Sequence, residues 1–219
     1  MALGHRRVRA NLGSVPTSNL AVAPHVINMV ERVLPHDRVL DVGPGWGKYA
    51  VLLREYLNVK PTRIDAVEAW PAYIVDHDLV SLYGTVWHGT AGEGGAWTSA
   101  DDLDNVDVVD GTGQVRRSYA VRGSTVRSDL VLADYDTVLM VDVIEHMTDA
   151  AALRFIAQCR HARVVICTPV EFFDNGPDLP PTEEHVSHWT PDMLKRLGRP
   201  VEHLATEHGA LLARLGPAW

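Results

Sequence analysis

Val39-Leu40-Asp41-Val42-Gly43-Pro44-Gly45-Trp46-Gly47-Lys48-Tyr49 reads as a covered strand running into a glycine loop that opens a helix. Val39, Leu40 and Val42 supply the β-branched and apolar run of a buried strand, and the glycines permit a tight turn and close approach of backbone to a ligand. The helix that follows offers its free N–H groups to that ligand. A dinucleotide-binding loop has the spacing G-x-G-x-x-G, with its pyrophosphate on the helix N-terminus. Here the spacing is G-x-G-x-G, with Asp41 two residues before Gly43. A carboxylate at that place repels a pyrophosphate and attracts, directly or through water, an ammonium group.

Three further segments extend the pattern. After a helical stretch from Tyr49 to Leu57, a second strand runs from Arg63 to Trp70 and carries Glu68 at its tip, where a carboxylate accepts both hydroxyls of a ribose. Within the stretch that starts at Tyr135, Val138 to Val141 reads as a continuous apolar strand with Asp142 at its carboxyl end, the edge at which open α/β sheets bind ligands. Glu145 and His146 share that face if the chain turns helical at once. Ala162 to Pro169 is another strand, and Thr190-Pro191 is an N-cap followed by a first helical residue. Val201 to Leu215, broken at His208-Gly209, fits a closing antiparallel hairpin, although its apolar spacing also permits a short helix.

Together the D-x-G-x-G-x-G stretch at Asp41, the YDxVxxxDVIEH stretch from Tyr135 to His146 and the EHxSxWT-like stretch from Glu184 to Thr190 resemble the class I S-adenosylmethionine-dependent methyltransferases. The resemblance covers most of residues 24 to 215. It implies a single Rossmann-like, doubly wound α/β sheet with mostly parallel strands and an antiparallel final hairpin, with S-adenosylmethionine as cofactor. It carries cofactor binding to Asp41, Gly43, Gly45, Gly47, Glu68, Ala69, Trp70 and Asp142; Trp70 reads equally well as a packing residue. Catalysis falls to His146 first, with Asp142, Glu145 and His185 beside it, His being the base nearest neutral pH. Asp142, Glu145, His146 and His185 also resemble a metal-holding E-x-x-E-H arrangement of some methyltransferases. The chain departs from it with Asp142 for the first Glu, and no metal is expected. Nor does a carboxylate stand at His88, Gly89 or Thr90, where the family's contact to the adenine amino group is sought.

Between Gly89 and Leu132 the chain is longer than the family's minimal passage. The excess reads as a β-hairpin inserted at about 90–130: Val106 to Val109, a turn over Asp110 to Gly113, and Val115 to Val121. It is a candidate lid, a homodimer contact or a decorative surface element.

With 219 residues and 46% hydrophobic content, the chain suits one α/β domain, 24–219, behind an N-terminal arm, 1–23. A formal charge of -8 argues against broad phosphate-backbone binding. Arg6, Arg7 and Arg9, and the cluster of Arg116, Arg117, Arg122 and Arg127, read as solvated faces. No apolar run is long enough for a bilayer, no signal-peptide layout is present, and Cys159 and Cys167 read as reduced packing residues, so a cytoplasmic protein is expected. The acceptor expected is a small molecule. Two other readings stand beside methyl transfer: a catalytically silent cofactor- or partner-binding protein, and an NAD-dependent oxidoreductase, against which the glycine spacing counts.

Overall fold

A computed structural model describes residues 20–32, 38–92, 98–99, 103–109, 115–121, 130–171 and 183–218, with 98–99, 103–109 and 115–121 given as backbone. The arginines at positions 6, 7, 9, 122 and 127 and the turn 110–113 lie outside the described residues. In chain order the elements are α1 (Ala23–Glu31), β1 (Arg38–Val42), α2 (Lys48–Tyr56), β2 (Arg63–Glu68), α3 (Pro71–Asp76), α4 (Leu79–Leu82), β3 (Val86–His88), β4 (Thr98–Ser99), β5 (Leu103–Val109), β6 (Val115–Val121), β7 (Thr137–Val141), α5 (Asp149–Gln158), β8 (Arg163–Pro169), α6 (Pro191–Lys195), β9 (Val201–Glu207) and β10 (Ala210–Leu215).

Strands run in the order β4-β3-β2-β1-β7-β8-β10-β9. β3, β2, β1, β7 and β8 are mutually parallel, and β10 is antiparallel to both β8 and β9. This is the expected doubly wound sheet. Because successive side chains of a strand face opposite ways, a sheet covered on both sides needs apolar residues at nearly every position. Val39, Leu139, Val141 and Val165 pack with Val26 and Val30 of α1, Ala50 and Leu53 of α2, Ile74 of α3 and Leu79 of α4. Leu40, Val42, Val138, Met140 and Ile166 pack with Phe155 and Ile156 of α5, Leu194 of α6 and Trp189. The core also takes in Val22 and Ala23.

The strand order reverses between β1 and β7. At such a point the connections leaving neighbouring strands diverge and open a crevice at the carboxyl edge. The glycine loop after β1, Glu68 at the end of β2 and Asp142 just past β7 therefore all face one crevice.

The closing segment is a hairpin, not a helix. His208 and Gly209 form its two-residue loop with φ of 52 and 79, the paired positive values of a type I′ turn, whose twist matches the flanking strands. The inserted hairpin is also present, with Leu103 opposite Val121 and Val109 opposite Val115. The sequence reading did not anticipate β4, a two-residue antiparallel strand on the edge of β3, which is too short to carry any periodicity.

Candidate functional site at the carboxyl edge

Gly43, Gly45 and Gly47 all have positive φ, 63, 54 and 73. The loop is pinned to the sheet by Gly43 N–H donating to the Val67 carbonyl (2.8 Å) and closed by Gly47 N–H donating to Pro44 (2.9 Å). A Cβ at Gly43 would lie 2.6 Å from Val143 Cγ2, and one at Gly47 would collide with Leu82 Cδ1. At Gly45 it would meet nothing within 4 Å. Gly43 and Gly47 thus serve packing, whereas Gly45 borders open space.

The sequence reading missed an aromatic stack that supports this loop. His77 Nδ1 donates to the Gly45 carbonyl at 2.9 Å, since a carbonyl can only accept. Its ring stacks on Trp46 at 4.2 Å and on Tyr73 at 4.9 Å between centroids. The i,i+4 spacing of Tyr73 and His77 around the end of α3 is visible in the sequence, but the contact to a loop 32 residues away leaves no local mark.

Carboxylates collect around the loop. Asp41 is buried and accepts from the Tyr83 hydroxyl at 2.6 Å; burial pushes its pKa up to about 7, against the pull of Tyr83 and Lys48. Glu68 is likewise buried, accepts from Trp70 N–H at 2.7 Å, and is pushed by burial up to about 8. Ala69 and Trp70 follow it, half-buried. Beyond them His88 pairs in register with Glu68 and bonds the Ala69 backbone, and burial lowers its pKa. Asp142 sits past β7 in the left-handed region (φ 53), its N–H donating to the Cys167 carbonyl at 2.8 Å. Lys48 stands among these acids, its pKa lowered by burial while Asp142 and Asp41 oppose the shift.

The chain after Asp142 does not turn helical at once. Two residues later it makes a single 3-10 turn, Ile144–His146, which gives Glu145 and His146 different surroundings while leaving their side-chain tips close together. Glu145 points inward: it is 3% exposed, accepts from Thr168 Oγ1 at 3.0 Å, and is pushed by burial up to about 8. Its Oε1 has no hydrogen-bond partner among the described residues. Its backbone carbonyl accepts from Val186 and Ser187 N–H (2.8 and 3.0 Å), which docks the 183–188 segment on the site.

His146 lies beside Glu145 and is less buried. Its Nδ1 lies 3.1 Å from the Glu184 carbonyl, so Nδ1 carries the proton and Nε2 presents a lone pair. Burial lowers its pKa to about 4, which keeps the ring neutral across the physiological range. His185, itself buried, meets it edge-on at 4.7 Å. Glu145, His146 and His185 each offer a ligand atom within 4.8 Å of the others. His188 is held elsewhere, on the Val170 carbonyl at 2.7 Å. The Tyr73 hydroxyl bonds the Glu183 carboxylate, so the docked segment also reaches back to α3 and the glycine-loop half.

No family model and no curated protein matches this chain. Among solved structures, it is similar to the complex between the Haloferax volcanii Trm112 methyltransferase activator and the putative methyltransferase, at 12% identity over 91% of this chain and 89% of that one, with a TM-score of 0.57. It is also similar to a protein described as putative Zn-dependent alcohol dehydrogenases from Rhodobacter sphaeroides, at 11% identity over 91% and 92%, TM-score 0.52. An O-methyltransferase family protein from Burkholderia thailandensis aligns at 12% identity and a TM-score of 0.47; the match covers 90% of this chain and 56% of that longer one. Likeness at these identities establishes the fold and leaves the chemistry to the site.

Proposed function

We propose that this chain transfers a methyl group from S-adenosylmethionine to a small-molecule acceptor. The observation that carries the reading is the pairing of a three-glycine loop with Asp41, Glu68 and Asp142 around one crevice. Such a setting disfavours a doubly charged pyrophosphate and suits a ligand bearing an ammonium and a sulfonium. The likeness to the putative methyltransferase of the Haloferax volcanii complex supports the same direction.

The residues present fit this cofactor. Gly45 leaves open space where backbone approaches a ligand, and Glu68 stands at the tip of β2, where ribose hydroxyls are held. Asp41 and the Gly43–Gly47 loop would hold the amino acid end, Glu68 the ribose, Ala69 and Trp70 the adenine face, and Asp142 the edge next to the sulfonium. When bound, the cofactor supplies an electrophilic methyl carbon. The chain's own task is to align an acceptor and receive its proton if it has one. His146 Nε2 is the group placed to take that proton: it is neutral, has its lone pair available, and is held in one tautomer by Glu184. His185 packs edge-on against it, and Asp142 acts on the neighbouring Glu145. Glu145, turned inward, positions the 183–188 segment.

The inserted hairpin belongs to the glycine-loop side of the domain, because β6 comes within 8 Å of α3 in Cα positions. That placement suits a lid or a dimer contact.

A protein that binds the cofactor without turnover would share the glycine-loop half completely, so the two readings separate at His146. Incubation with S-adenosylmethionine and a panel of phenols, hydroxy acids and sugars, read by mass spectrometry, tests this. Methylated product and S-adenosylhomocysteine, both suppressed in His146→Gln, are expected. Cofactor binding with no turnover on any acceptor would favour the silent reading.

A further inference from the structure

Toward the β9 edge of the sheet, on the same face as α2, the N-terminal helix meets the closing hairpin. β10 begins opposite Pro169, the last residue of β8, so the β9–β10 turn also lies at the carboxyl edge. His25 of α1 faces that turn, its ring 5.6 Å from the ring of His208 with the planes inclined at 59°. Glu207, the last residue of β9, completes the group: one ligand atom from each of His25, Glu207 and His208 lies within 4.8 Å of the others.

We infer that His25, Glu207 and His208 form a binding site for a divalent transition-metal ion of the zinc class, which clamps α1 to the β9–β10 turn. Two imidazole nitrogens and one carboxylate oxygen form a donor set that such ions take readily, with a fourth position left to water. Metal–ligand bonds of about 2.0–2.2 Å put donors roughly 3.5 Å apart around one ion. Closing from the present separation is a side-chain adjustment; His25 is half-buried, while Glu207 and His208 are exposed.

The backbone adds a reason. The first position of a type I′ turn favours Asn, Asp or Gly, yet His208 occupies it at φ 52. An imidazole presented on a rigid two-residue turn, beside a carboxylate and opposite a helical histidine, is held in place for coordination. His203, Arg32 and Arg214 stand nearby; burial lowers the pKa of His203, Arg214, Arg32 and His25 act in the same direction, and Glu207 opposes them. That positive surround weakens the site relative to an all-acidic one.

The clamp bears on the acceptor half of the crevice. Gly209 O accepts from Val170 N–H at 2.9 Å, and Val170 O is bonded by His188 of the segment that carries His185. The inference does not depend on what the crevice binds.

Titration of the full metal-free chain with Zn²⁺ by calorimetry, and with Co²⁺ by its visible absorption, tests the site. Zn²⁺ is expected to raise the melting temperature. Because Glu145, His146 and His185 form a second group, the titrations are repeated in His185→Gln, where binding is expected to persist. His208→Asn, which tolerates the positive φ, and His25→Gln are each expected to weaken binding by at least about tenfold, as loss of a direct ligand should exceed the 10–100-fold typical of outer partners. Undiminished binding in His208→Asn, loss of binding in His185→Gln, or no binding to the unmodified chain would overturn the inference. An unchanged metal-free melting temperature in His208→Asn shows that the variant is folded.

Discussion

Around the glycine loop, the candidate cofactor-binding residues come from short runs of chain: Asp41 to Gly47 in one, Glu68 to Trp70 in the next. Around His146, the turn after β7 is completed by Glu183 to Ser187, about 40 residues further on, and a β8 threonine closes the back. The first half carries its geometry in backbone conformation, three positive-φ glycines and a strand end. The second carries it in side chains and carbonyls that acquire a role only once the sheet has formed. A local motif can therefore specify what is bound, while what is done to the bound ligand depends on tertiary docking.

That contrast breaks most sharply if each half is removed alone. His146→Gln is expected to lower methyl transfer by about 10²–10⁴-fold, the usual worth of a positioned general base, while leaving cofactor affinity within a factor of a few. Steady-state rates set beside calorimetric affinities check this, and equal loss of both would merge the two halves.

Within the glycine loop the prediction divides again. Gly47→Ala combines a left-handed φ with a crowded Cβ, and is expected to destabilise the fold by about 2–4 kcal/mol. Gly45→Ala meets open space and should cost only the backbone term, about 1–2 kcal/mol, with its main effect on ligand binding. Denaturant melts of the two variants check the order. Glu68→Ala comes next: loss of a hydrogen bond, about 0.5–1.5 kcal/mol, predicts roughly 2–10-fold weaker cofactor binding.

The same halves differ in how far they could be read without a structure. The β1–glycine–α2 run, Glu68 at a strand tip and the Thr190-Pro191 start of α6 follow from adjacent residues, and all are observed. The inserted hairpin was legible because its alternation and turn residues are local too. The Tyr83–Asp41 bond, the His77–Gly45 bond and the inward aim of Glu145 were not legible. They join residues 42 and 32 positions apart, or depend on Asp142 adopting positive φ and delaying the helical turn. Nothing in the composition of those residues marks them.

A smaller effect concerns pH. Burial raises Asp41 to about 7 and Glu68 and Glu145 to about 8, so the ligand-free native chain retains protons that the unfolded chain has released. The stability this provides is complete below the unfolded values near 4 and is lost as pH climbs through 7 to 8. His146, lowered from 6.5 to about 4, has the opposite sense and loses its contribution as pH falls below 6.5. The melting temperature of the ligand-free protein is therefore expected to fall between pH 6.5 and about 8, less steeply in Glu145→Gln. Thermal melts across that range check the sign.

The most direct test of the account is calorimetric titration of the chain with S-adenosylmethionine, S-adenosylhomocysteine and NAD, with Asp41→Ala and Glu68→Ala alongside. The account predicts binding of both adenosyl amino acids, weakened in each variant, and none of NAD. Binding of NAD without the other two, or binding of none of the three, would contradict it.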